Sequence, residues 1–227
     1  MTTKINFKNS SFRKNISNIV LFVDGKFGTK ILKKHISSSE YSLVNDLIKA
    51  QDLKKKIITF DISSKKKIIL VSLKENLNSS GAENLGAKFY DLFKDSHLNE
   101  FNINSDTIEK KSINLLAYFL HGIKLKSYKF DKYKTKKNKK NISIIVTGKN
   151  KPSPKYQLNF KAIEEGAFYA RDLVSEPGNV LHPDEYAKRI KFLKKFGLKI
   201  QVYDQNKLKK LGMNTLLGVG QGSIRGS

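Results

Sequence analysis

Three patterns in the 227-residue chain bring together residue types that could do chemistry. His182-Pro183-Asp184-Glu185 offers an imidazole and two carboxylates, the donor types of a metal site. Adjacent residues at a helix start point in different directions, and no second His follows four residues on, so the spacing argues against ligation. Gly218-Val219-Gly220-Gln221-Gly222 has the composition of a phosphate-cradling loop. A dinucleotide fingerprint needs a strand before it, a helix after it and a further glycine three residues on, and the sequence stops at Ser227 first. Residues 124–140 interleave many Lys with Tyr128, Phe130 and Tyr133, a pattern that holds single-stranded nucleic acid by charge and stacking. A solvated connection whose aromatics anchor on the domain accounts for the same residues. His35, His97 and His121 stand alone and read as surface or packing histidines. No Ser-His-Asp arrangement follows from spacing, because triads are recognised by geometry. The residues alone assign no catalytic, metal or substrate-binding position.

Composition narrows the classes further. Cys is absent, which excludes a disulfide framework, a thiolate zinc site and a Cys nucleophile. The longest apolar runs, such as Ile68-Ile69-Leu70-Val71, fall far short of the roughly 20 residues that span a bilayer. Forty-four Lys and Arg against 20 Asp and Glu give a formal charge of +24. A field of that size attracts nucleic acid or anionic membrane. Only Arg13, Arg171, Arg189 and Arg225 are arginines, however, and Lys, Asn, Ile and Phe are all abundant. Drift toward AT-rich codons explains that charge without a ligand, whereas nucleic-acid sites favour Arg forks. The first 23 residues lack an acid and faintly resemble a transit peptide, but 18–23 reads as a first strand closed by Asp24-Gly25. The expected location is the cytoplasm.

The elements that must position any site alternate in type. Strands are expected at 18–23, 101–103 and 142–146, with a hairpin formed by 57–62 and 68–73 around Ser63-Ser64-Lys65. Helices are expected from Tyr41, Val44, Leu47 and Ile48; from Leu85, Phe89, Leu92 and Phe93; and from Ile113, Leu116, Leu120 and Ile123. Pro152 and Pro154 mark a joint at 149–155. A long helix follows, with Tyr156, Phe160, Ile163, Ala167, Ala170 and Val174 at the spacing of one buried stripe. Pro183 suits the first position of a further helix, Gly197 stops it, and Leu198, Ile200 and Val202 alternate as a strand. Asp204 then caps a short helix that reaches Leu211. The expectation is an α/β protein with a mixed-sheet N-terminal domain at 1–150 and the start of a second α/β domain at 151–227.

Ala170-Arg171-Asp172-Leu173-Val174-Ser175-Glu176-Pro177-Gly178-Asn179-Val180-Leu181-His182-Pro183 resembles the segment with which leucyl (cytosol) aminopeptidases enter their catalytic domain. The resemblance continues through Gly197-Leu198-Lys199-Ile200-Gln201-Val202, Lys210-Leu211-Gly212-Met213 and Gly218-Val219-Gly220-Gln221-Gly222-Ser223. Upstream, Tyr128-Lys129-Phe130-Asp131-Lys132-Tyr133-Lys134 looks like the family's segment before its last N-terminal strand. The first 120 residues match only in their order of elements. Ser175 stands where the family most often has Asn, and His182 where Thr usually precedes the Pro. A His is a poorer cap than Thr, at a cost of about 1 kcal/mol to that helix.

The resemblance implies a two-metal exopeptidase that releases N-terminal amino acids from peptides, works in the cytoplasm and assembles as a homo-hexamer. Its two divalent ions, manganese or zinc, would activate a bridging water. The family holds them with a Lys in Gly-Lys-Gly-hydrophobe-Thr-Phe-Asp-Thr-Gly-Gly and with acids in Asn-Thr-Asp-Ala-Glu-Gly-Arg, and neither motif occurs in the 227 residues. The resemblance therefore implies a chain that stops before its active site, inactive alone. The competing expectation is a Lys-rich polyanion-binding module without catalysis.

Overall fold

A computed structural model describes residues 3–9, 17–74, 76–136 and 141–222. Readings that rest on Arg13, on 137–140 or on 223–227 lie outside the described residues. The chain divides into two compact units, Met1–Phe168 and Tyr169–Ser227.

In the first unit, six strands form one sheet: β1 (Lys4–Phe7), β2 (Asn18–Val23), β3 (Ile57–Ser63), β4 (Lys66–Ser72), β5 (Glu100–Asn104) and β6 (Ser143–Thr147). Their order is β1-β6-β5-β2-β4-β3, and every neighbouring pair is parallel except the β3–β4 hairpin. All six residues of β2 are buried, because a central parallel strand is covered on both faces and reads as a continuous apolar run. Edge strand β3 alternates instead.

Each face has its own cover. Val20, Phe22, Ile69 and Phe101 pack with α2 (Ser79–Phe93) and α3 (Ile113–Lys126). Phe22, Phe89 and Phe101 meet their aromatic partners edge-on, with Phe119 of α3 between Phe22 and Phe89 at centroid distances of 5.4 and 5.7 Å. On the opposite face, Ile19, Leu21, Ile68 and Leu70 pack with Leu32, Ile36 and Val44, the last on α1 (Ser38–Leu47). Ser37 and Glu40 close a capping box at the start of α1, and Lys66 of the hairpin reaches Glu40 at 2.5 Å.

Several expectations need correction. Strand β1 was not anticipated: four residues with weak alternation carry little signal until β6 pairs with them. Leu92, assigned to the buried face of α2, is exposed. The stripe assigned to the long helix α4 (Pro154–Ser175) is not buried either, with Ile163 56% and Val174 87% exposed. Phe160 of that stripe packs together with Glu164 and Phe168, where rings and the hydrogen bond between Glu164 and His121 take the place of aliphatic contacts. The two units divide within α4 at 168/169, C-terminal to the Pro-containing segment 149–155. That Pro-containing segment is tied to the first unit: Lys149 donates its backbone N–H to Asp106, Asn150 its side-chain amide to the Ile108 carbonyl, and Lys151 its ammonium to the Lys8 carbonyl.

The second unit is helical among its described residues. After the end of α4 come α5 (Pro183–Lys191), a 3-10 turn at Phe192–Phe196, α6 (Gln205–Lys210) and α7 (Asn214–Gly220). Gly197 takes a φ of 84° in the left-handed region that glycine adopts freely, and Asp204 caps α6 through the Lys207 N–H. The strand expected at Leu198, Ile200 and Val202 does not form. Alternation alone makes no strand: a ladder partner is required, and the described residues of this unit supply none.

Helices α2 and α3 cross in close contact. A Cβ on Gly86 would sit 1.9 Å from the Phe119 carbonyl oxygen, and one on Gly122 1.9 Å from that of Glu83. Gly86→Ala and Gly122→Ala are each expected to lower stability by about 1–3 kcal/mol through overpacking. Gly166→Ala in α4 meets nothing within 4 Å and gains helix propensity, so it should be neutral or stabilising by up to about 1 kcal/mol. Urea unfolding of the three variants measures the contrast.

Candidate functional site

A cleft of about 740 Å³ lies in the first unit. Strand β1, helix α3 and the first turns of α4 enclose it, through residues that include Ile5, Phe7, Leu120, Lys124, Phe160 and Phe168. The α4 wall is set by aromatic packing. Phe160 meets Tyr118 edge-on at 5.1 Å and lies 4.8 Å from the His121 ring, while Phe168 stacks on Tyr128 at 5.4 Å. Between those contacts Glu164 places Oε1 3.1 Å from His121 Nδ1, with His121 buried and Glu164 partly so. One turn further along α3, Lys124 donates from Nζ to the Thr3 carbonyl at 2.6 Å. Burial pushes the Lys124 ammonium below the ordinary lysine value, against the opposing pull of Glu164 and Glu165.

Sequence reasoning took His121 for an isolated histidine. Its partner lies 43 residues away, and the only available signal was the i, i+4, i+8 spacing of Phe160, Glu164 and Phe168. His35 shares a hydrogen bond with Asn104 at 2.8 Å between its Nδ1 and the amide nitrogen. His182 is the N-cap of α5, makes no capping bond, and turns its Nδ1 to the Asp184 carboxylate. The Gly218–Gly222 motif does not form a phosphate loop, since Gly218 and Gly220 lie in α7. In the Lys-rich run, Tyr128 is stacked on Phe168 and Phe130 lies against the exposed Tyr133.

In the second unit Arg189 ties the turn after α4 to α5. Its Nη1 donates to Glu176 and its Nε to Glu185, each at 3.0 Å, and the Tyr169 hydroxyl donates to its carbonyl oxygen. Glu176 is almost fully buried, so this charge-assisted pair defines the turn that carries Pro177 and Gly178.

Comparison with known proteins follows this division. The model of the cytosol aminopeptidase family, catalytic domain, matches residues 168–227. A probable cytosol aminopeptidase of Agrobacterium fabrum is 44% identical over 121 residues, covering 50% of this chain and 24% of that protein. One from Bradyrhizobium is 41% identical over 116 residues, covering 47% and 22%. Among solved structures, a mutant of tomato leucine aminopeptidase superposes with a TM-score of 0.69 at 17% identity, covering 92% of this chain and 46% of that one. The bottromycin maturation enzyme BotP in complex with Mn gives a TM-score of 0.64 at 16% identity, covering 92% and 43%. The fold is thus one found in leucine aminopeptidases. In sequence, residues 168–227 are similar to the cytosol aminopeptidase catalytic domain, and the chain spans less than half the length of the proteins it matches.

Among the described residues no three His, Asp or Glu side chains converge on one point. The donors present among those residues do not fit a two-cation centre. Among the same residues, no helix is long and apolar enough to cross a membrane.

The hydrogen bond from Arg189 holds the Glu185 carboxyl below its ordinary range, against a smaller opposing effect of burial. A lowered native value means that this contribution to stability is complete above the ordinary glutamate range and is lost as the pH falls through the lowered value. Arg189→Met should raise the Glu185 midpoint in a carboxyl NMR titration and speed hydrogen exchange across residues 176–189.

Proposed function

We propose that the chain is the N-terminal and entry portion of a metallo-aminopeptidase that removes N-terminal amino acids from peptides. Residues 1–150 are the assembly domain in this reading, and 151–227 are the linking helix with the beginning of the catalytic domain. The observation that supports it is the family match over 168–227, which contains the Ala170–Pro183 run and the Arg189 clamp. The two divalent ions, manganese or zinc, are held by donors outside these residues, and the whole protein works as a homo-hexamer in the cytoplasm. The chain's own contribution is to build the sheet unit and to fix the turn through which the polypeptide enters the catalytic domain.

Two measurements test this. The 227-residue chain should not hydrolyse leucine amide, with or without Mn²⁺ or Zn²⁺. A chimera that joins residues 1–222 to the remaining catalytic residues of the Agrobacterium fabrum relative should hydrolyse it in a metal-dependent way. A chimera that folds and assembles but stays inactive would overturn the proposal, as would metal-dependent turnover by the purified chain alone.

A further inference from the structure

We infer that the cleft between β1, α3 and the first turns of α4 binds an apolar monocarboxylate, with its carboxylate on Lys124 and its body along Ile5, Phe7, Leu120, Phe160 and Phe168. This is independent of the peptidase reading. The volume of about 740 Å³ lies within the range of small-molecule sites, and the walls are mainly aliphatic and aromatic. The charged groups decide the ligand's sign. Glu164 is engaged by His121 at 3.1 Å, and Glu165 faces Lys161 at 3.9 Å. Lys124 spends one N–H on the Thr3 carbonyl, and among the described residues no side-chain or backbone acceptor takes the other two.

Burial makes that partly desolvated ammonium costly, which a carboxylate relieves through charge-assisted hydrogen bonds. A neutral apolar molecule leaves the cost in place, and an alkylammonium adds like-charge repulsion. Two sources share the inferred chemistry: fatty acids and N-acylated amino acids.

The test titrates the full 227-residue chain with octanoate, N-acetylleucine, octanol and octylammonium, by calorimetry and by amide NMR shifts. Saturable binding of a carboxylate is expected, with shifts at residues 4–7, 120–124 and 160–168. Octanoate should bind about tenfold more tightly than octanol, the size of one charge-assisted contact. Tighter octanoate than N-acetylleucine supports the fatty-acid source, and the reverse order supports the acylated amino acid. Lys124→Met should reduce octanoate to the affinity of octanol, while Lys124→Arg keeps the preference. Absence of saturable carboxylate binding, equal affinity for octanol, or shifts confined to the exposed apolar residues of 186–219 would overturn the inference. The last three readings use the unaltered chain, so they stand even if Lys124→Met fails to fold.

Discussion

A parallel strand in the middle of a sheet has no face left for water, and that constraint organises the first unit. Strand β2 is buried along its whole length, so cover is needed on both sides of it. The α2–α3 pair supplies one cover and α1 with the 3-10 turn at Lys30–Lys34 the other. The first pair can lie close because Gly86 and Gly122 remove the Cβ atoms where the helices cross, which brings Phe119 down between Phe22 and Phe89. Rings packed edge-on in this way fill the layer at interior density and leave little freedom for the sheet to slide.

The same physics explains what the sequence disclosed. β2, the hairpin and α1–α3 each carry their signal locally, in apolar runs or helical spacing reinforced by Ser37 and Asn78 as caps. β1 is defined by its neighbour: Ile5 and Phe7 acquire meaning only when β6 pairs alongside. Residues 198–202 show the reverse, alternating as a strand would but lacking a ladder partner. The recognition motif at 170–183 was legible because it is contiguous. The His121–Glu164 pair was not, because spacing within one helix says nothing about the opposing face of another.

The second unit differs in kind. Leu173 and Leu208 are its buried aliphatic residues among those described, while Phe192, Phe196, Leu198, Leu216 and Val219 are exposed. Lys195 lies 3.5 Å from the centre of the Phe192 ring, which shields part of that surface with a cation that snorkels along it. Order here comes less from a core than from local devices: Pro183 at the first helical position, Gly197 and Gly212 with positive φ, the Asp204 cap, and Arg189 on two carboxylates. Such devices fix the path of a chain without excluding water from a large volume.

The long helix α4 joins these two regimes and shows why its seam with α3 is polar. An aliphatic stripe at positions such as Ile163 and Ala167 would hold the helix by area alone, and area tolerates a shift by one turn. His121 and Glu164 do not, since a slip would leave the buried His121 ring and the partly buried Glu164 carboxylate without their hydrogen-bond partner, which costs more than the bond itself contributes. Phe160 and Phe168 flank that contact at one turn on either side, each against a different ring of the first unit. The rings supply the adhesion and the hydrogen bond supplies the register. With the first turns of α4 held in one register against α3 and β1, the cleft between them keeps a fixed shape, with Lys124 on its wall.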